Sequence, residues 1–201
     1  MTIKQNEILI YPTDTVWGIG CSLYSEEGFK RIAEIKKTNS KKPLSIMFAS
    51  IEDIYKSFHF DSELNLLWLK EFFKLETTLG LSLKSSKIQI PKWATGASQF
   101  ASIRCVDTPI IRDIYNKLRT PFFTTSLNIT GEPPIINDQE AFDFYHRHVK
   151  DAHFFANNTN DNLSGSSSTI VFLKENLDFE IVREGLKAEQ VKNHLAKLFE
   201  C

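Results

Sequence analysis

Apolar positions along the chain fall by turns into short β-branched runs and into stretches of helical spacing. From Glu7 to Tyr11 an apolar run stops at Pro12, and Thr13-Asp14-Thr15 leads through Trp17 to Gly18 and Gly20. This pattern predicts a strand, a polar turn and then a backbone-flexible loop. Ser25 with Glu26 and Glu27 is a capping signal, and Phe29, Ile32, Ala33 and Ile35 follow at helical spacing, so a helix is expected to end near Lys37. Leu44 to Ala49 reads as a strand. Ile51 to Phe58 and Leu64 to Phe73 carry helical periodicity, the second expected to be mostly core. Thr78 to Leu83, Phe100 to Arg104 and Phe122 to Thr125 read as strands, with a helix from Pro109 to Leu118 opened by its proline. The last third predicts a helix over Gln139 to His148, a strand around His153 to Ala156 and a polar loop from Asn157 to Ser167. Strands at Thr169 to Leu173 and Glu180 to Arg183 follow, then a closing helix from Lys187. Strands joined both by helices and by short turns imply an α/β fold with a mixed sheet.

No internal repeat or linker divides this pattern, and 201 residues with 42% hydrophobic composition are enough for one domain, residues 1–201, with a core of its own. A net charge of -1 excludes a globally basic nucleic-acid coat, so any anion site has to be local. Cys21, Cys105 and Cys201 are odd in number and lack CxxC spacing, which argues against a zinc site or a disulfide framework and fits a reducing compartment. The N-terminal apolar stretch is too short for a signal-peptide core, and no run of about 18 apolar residues is present, so a cytoplasmic location without membrane association is expected.

Between Lys30 and Lys42 six basic residues (Lys30, Arg31, Lys36, Lys37, Lys41 and Lys42) stand against the single acid Glu34. They form a cationic ridge that the helix macrodipole alone could account for, or that could face an anion. Polar groups gather at expected strand ends: Thr13 and Thr15 after the first strand, Arg104 ending another, Ser126 and Asn128 after a third. Open α/β sheets bind ligands at such ends. Thr124 to Gly131 packs hydroxyls, an amide and a glycine into one turn suited to phosphate oxygens. Ser164 to Thr169 reads as a flexible loop, and Arg183-Glu184-Gly185 as a surface ion pair beside a turn. HExxH, a nucleophile elbow, a Walker loop and GxGxxG are all missing, and His146 and His148 lack metal-ligand spacing.

Taken in order, YPTDTVWGIG (Tyr11 to Gly20), IKK and KPL (Ile35 to Leu44), SIR (Ser102 to Arg104), TSLNITGEP (Thr125 to Pro133), STIV (Ser168 to Val171) and VREG (Val182 to Gly185) resemble the YrdC-like family of threonylcarbamoyl-AMP synthases. The resemblance implies a twisted, open mixed sheet with flanking helices and a concave basic cleft. It also implies a reaction joining ATP, L-threonine and bicarbonate or CO2 into threonylcarbamoyl-AMP and pyrophosphate for tRNA modification, with Mg2+ accompanying ATP. On the same basis Thr15, Arg104 and Ser168 would hold threonine, while Lys36, Thr38, Lys42, Ser126, Asn128 and Arg183 would lie at ATP. Lys36, Arg104 and Arg183 would be the catalytic cations, with no protein-bound metal. Expected partners are tRNA or double-stranded RNA and the proteins that pass the threonylcarbamoyl group on.

The chain departs from the family pattern at several positions. Thr38 stands where a K-x-R arginine is usual, with Lys37, Lys41 or Lys42 as substitutes for its charge; Phe73 to Thr78 holds no Pro-Gly-Pro; and Met47 replaces a common histidine. Two other readings compete: an RNA-binding or catalytically degenerate module of the same fold, and the related domain of hydrogenase-maturation carbamoyltransferases, which sits in longer chains with zinc-finger-like cysteines.

Overall fold

The computed structural model describes residues 3–39, 43–157, 163–174 and 177–199. Nine strands among these residues form one sheet: β1 (Leu9–Pro12), β2 (Trp17–Ser22), β3 (Ser45–Phe48), β4 (Thr77–Ser82), β5 (Phe100–Cys105), β6 (Phe122–Ser126), β7 (His153–Phe154), β8 (Thr169–Leu173) and β9 (Phe179–Arg183). Their order is β7-β1-β2-β6-β3-β5-β4-β8-β9. Pairs β1/β7, β3/β5 and β4/β8 are parallel and the others antiparallel, so the sheet is mixed. The helices are α1 (Glu26–Ile35), α2 (Ile51–Ser57), α3 (Leu66–Lys74), α4 (Lys92–Thr95), α5 (Pro109–Leu118), α6 (Asp138–His148) and α7 (Ala188–Ala196).

Local chemistry sets the helix starts. Ser25, Ser50, Asn65, Thr108 and Asn137 each accept a backbone N–H of the first turn, at Gly28, Asp53, Trp68, Ile111 and Glu140 respectively. The helix read from Leu64 is core on one face only: Leu69, Phe72 and Phe73 are buried, whereas Leu66 and Leu67 are exposed. The short α4 follows Pro91 and has no side-chain cap.

The segment expected to be a loop, Trp17 to Gly20, is strand β2 instead. A Cβ on Gly18 would lie 2.8 Å from the Tyr11 ring, and one on Gly20 would lie 2.3 Å from the Phe123 carbonyl oxygen. These glycines therefore serve close approach of β1 and β6, not backbone freedom.

Side chains alternate across a strand, and the alternation divides the core in two. Ile46, Phe48, Leu79, Leu81, Ala101, Ile103, Cys105, Phe123 and Val171 join one large apolar cluster, covered by residues of α1, α2, α3, α6 and α7. On the opposite face α5 brings Ile111 and Ile114 against Leu9, Tyr11, Met47 and Phe122. Beyond α5 that face carries polar side chains beside Leu44 and Ile170. No described helix is long and apolar enough to cross a membrane.

Candidate active site

The uncovered part of the second face is the floor of a cleft of about 270 Å³ lined by Thr15, Thr78, Ser102, Arg104, Thr124, Ser126, Ser168 and Arg183, with Leu44, Met47 and Ile170 as its apolar wall. Register explains the assembly. Arg104 pairs with Thr78 across β5 and β4, Thr78 pairs with Ile170 across β4 and β8, and Ile170 pairs with Arg183 across β8 and β9. Four residues distant in the chain thus share one row.

At one end Arg104, only 5% exposed, donates from Nη1 to the Thr77 carbonyl at 2.8 Å and from Nη2 to Thr15 Oγ1 at 3.2 Å, and pairs with the Asp14 carboxylate. Thr13 shapes the loop beneath. Its hydroxyl donates to the Val16 carbonyl at 2.6 Å and accepts the Thr15 and Val16 N–H groups. Arg183 donates from Nε and Nη2 to the Ser168 carbonyl at 3.0 and 2.9 Å, and from Nη2 to Ser168 Oγ at 3.0 Å. Ser168 Oγ in turn lies 2.8 Å from Thr78 Oγ1. Partial burial, and then the nearby Arg104 cation, push the Arg183 guanidinium below its ordinary pKa. Two like charges facing one concavity favour an anion between them.

At the other end the turn after β6 is braced from α1. Lys36, buried, extends its ammonium to the Ser126 carbonyl at 2.5 Å, the Asn128 carbonyl at 2.9 Å and Asn128 Oδ1 at 2.8 Å, while its own carbonyl accepts the Thr130 N–H at 2.9 Å. Ser126 Oγ donates to Asn128 Oδ1 at 2.7 Å, and the Asn128 amide donates to the Ile129 and Glu132 carbonyls. Thr15, Arg104, Ser126, Ser168 and Arg183 therefore meet on the cleft, whereas Lys36 and Asn128 stand behind its wall and hold the turn in shape. Thr38 follows α1 and is not among the lining residues; Lys42 lies outside the described residues.

Two charges of the cationic ridge are paired with acids. Lys30 pairs with Glu26 at 2.7 Å and Arg31 with Asp151 at 2.5 Å, so these charges belong to α1 and its neighbours. Glu184 pairs with Lys192 at 2.9 Å, and Arg183 is turned to Ser168 rather than to Glu184. Thr124 belongs to the hydroxyl-rich turn read from the sequence, whereas Asp14, Thr78 and Ser102 had no site role assigned from it. For Ser102 the signal was period-two alternation, since Ala101 and Ile103 on either side fill the other face.

A family match spans residues 1–185, to Sua5/YciO/YrdC, described as "Telomere recombination". The chain belongs to the Sua5/YciO/YrdC family. Among curated relatives of this family, threonylcarbamoyl-AMP synthase of Klebsiella pneumoniae is 28% identical over 132 residues, covering 66% of this chain and 69% of its own length. In solved structures the Sua5/YciO/YrdC fold recurs with E. coli YciO (TM-score 0.73, 19% identity, 90% of this chain and 84% of that one). It recurs also with P. abyssi Sua5 complexed with L-threonine (TM-score 0.76, 23% identity, 94% of this chain and 54% of that one). The twisted mixed sheet with flanking helices expected from the sequence is the fold these proteins share.

Proposed function

We propose that this chain synthesises threonylcarbamoyl-AMP and pyrophosphate from L-threonine, bicarbonate or CO2, and ATP, within the pathway of tRNA threonylcarbamoyladenosine formation. The observation that carries the reading is the pair of guanidiniums, Arg104 and Arg183, in one cleft with the hydroxyls of Thr15, Thr78, Ser102, Thr124, Ser126 and Ser168. The names of the relatives support the same chemistry.

In this reading the amino acid lies at the Arg104 end. Its carboxylate meets Arg104, Thr15 and the Ser168 hydroxyl, and its amine points along the cleft. The amine takes up CO2 as a carbamate, losing one proton, or bicarbonate with loss of water. A carbamate oxygen then attacks the α-phosphorus of ATP, forming the P–O bond as the bond to pyrophosphate breaks. Arg183 lies between the two reactants and stabilises charge as it develops on the phosphoryl oxygens. Ser126 and the turn braced by Lys36 and Asn128 receive the phosphates, with Thr38 and Lys42 nearest in sequence. No residue forms a covalent intermediate, so positioning and electrostatics supply the rate.

Magnesium would enter with ATP. The ion would be carried on the phosphates and would neutralise their charge. The product passes to proteins that transfer the threonylcarbamoyl group to tRNA, in the cytoplasm. Exchange of labelled pyrophosphate into ATP tests this: it should require both threonine and bicarbonate. Exchange independent of threonine, or RNA binding with no exchange at all, would replace the reading with another adenylating activity or a binding module.

A further inference from the structure

Glu76 sits at the junction of α3 and β4 with φ +56°, a conformation that side chains other than Gly and Asn rarely adopt. Such strain persists where its surroundings over-determine it. Here they do. One carboxylate oxygen of this nearly buried side chain pairs with Lys187 Nζ at 2.7 Å, and the other accepts the Ser164 hydroxyl at 2.8 Å. Its carbonyl accepts the Thr169 N–H at 3.1 Å. Lys187 opens α7, so three distant segments meet at one carboxylate.

Two of these segments end in the cleft. Past Ser164, the chain runs through Gly165 (φ +78°) to Ser167 and Ser168 in the cleft wall, and the Ser164 and Gly165 N–H groups donate to the Asp14 and Thr15 carbonyls at 3.1 and 2.9 Å. On the other side Glu76 is followed by Thr77, whose carbonyl holds Arg104, and by Thr78, whose hydroxyl meets Ser168. Glu76 is not among the lining residues, yet it fixes both the Ser164–Ser168 segment and the Thr77 carbonyl.

We infer that Glu76, tied to Lys187, is a positioning residue that sets the amino-acid end of the cleft by holding the Ser164–Ser168 wall against the Thr13–Thr15 loop. This deepens the proposed function, whose amino-acid end it addresses, and leaves the phosphate end untouched.

Glu76→Asn tests it, because Asn accepts the backbone conformation while losing the ion pair and the reach to Ser164. The expected result is a rise in KM for L-threonine of about tenfold, with kcat and the KM for ATP unchanged, as for loss of one good polar constraint. Glu76→Gln, which retains the reach, should recover part of it, and Lys187→Met should move in the same direction as Glu76→Asn. Hydrogen exchange supplies a readout that does not depend on the reaction: the Ser164 and Gly165 amides should exchange faster in Glu76→Asn, while amides of β2 and β6 keep their protection. If the wild-type protein makes no product, the function reading fails and exchange alone decides this inference. Unchanged exchange at Ser164 and Gly165 would overturn it, as would equal rises in both KM values or a lowered melting temperature with kinetics intact.

Discussion

Replacing Arg104 by Lys keeps a cation opposite Asp14 but removes the fork. In the native chain Nη1 serves the Thr77 carbonyl and Nη2 serves Thr15 and Asp14, in a site where the arginine is 5% exposed. A single ammonium cannot serve both directions, and the Asp14 carboxylate is the stronger attraction. The Thr77 carbonyl then loses a charge-assisted bond worth about 1.5–3 kcal/mol. For a chain of this size each kcal/mol shifts the melting temperature by about 2–4 °C, so a fall of roughly 3–12 °C is expected. A substrate carboxylate also loses the guanidinium hydrogen-bond donors that Thr77, Thr15 and Asp14 hold in place. A loss of about 1.4–2.8 kcal/mol raises the KM for threonine roughly tenfold to a hundredfold. Arg104→Ala should be worse folded, because it leaves Asp14 without its partner at a cost of about 3–5 kcal/mol for a buried pair, reduced here because Asp14 keeps 30% exposure. Thermal unfolding and steady-state kinetics on the Lys variant give both quantities. A wild-type KM for threonine with an unchanged melting temperature would refute the assignment of Arg104.

Gly20→Ala sets a Cβ 2.3 Å from the Phe123 carbonyl oxygen, so β2 and β6 must separate; a loss of at least about 1–3 kcal/mol is expected in denaturant unfolding. Gly131→Ala, at φ +94° with open space around it, serves as the comparison for backbone strain alone. Thr38→Arg adds the guanidinium that the family pattern carries and should lower the KM for ATP; an unchanged value would place that charge elsewhere. Burial pushes the thiols of Cys21 and Cys105 up to about 12. Thiolate therefore gains on thiol only as pH approaches that value, and near pH 8 neither should react with an alkylating agent until the chain is unfolded. Rapid native labelling of either, read by peptide mass spectrometry, would contradict the packing.

Elements were legible where local chemistry decides them. Pro109 after the Thr108 cap gives a helix whose expected bounds, Pro109 to Leu118, match those observed, and the apolar runs at Leu44 and Phe100 form β3 and β5. The misread segment, Trp17 to Gly20, failed because its glycines answer to Tyr11 and Phe123, and strand pairing is invisible along the chain. The cleft was half legible for the same reason. Thr15, Arg104, Ser126, Ser168 and Arg183 stand in recognisable motifs, but their meeting depends on the strand order β1-β2-β6-β3-β5-β4-β8-β9. Asp14 sat inside a motif already quoted, with nothing local to show that it faces Arg104. Lys36 stood out as a cation, whereas its role in bracing Ser126 and Asn128 needs the turn of β6 packed against the end of α1. Glu76, in the stretch without Pro-Gly-Pro, had no sequence signal at all, since both its backbone conformation and its partners are tertiary.

The proposed reaction joins threonine, CO2 and ATP in one cleft. Its most direct test is to incubate the purified chain with ATP, magnesium, L-threonine and labelled bicarbonate and to identify the labelled product by mass spectrometry. Threonylcarbamoyl-AMP should form with equimolar pyrophosphate, dependent on threonine and lost in an Arg104 and Arg183 double variant. ATP binding with no labelled adenylate would contradict it.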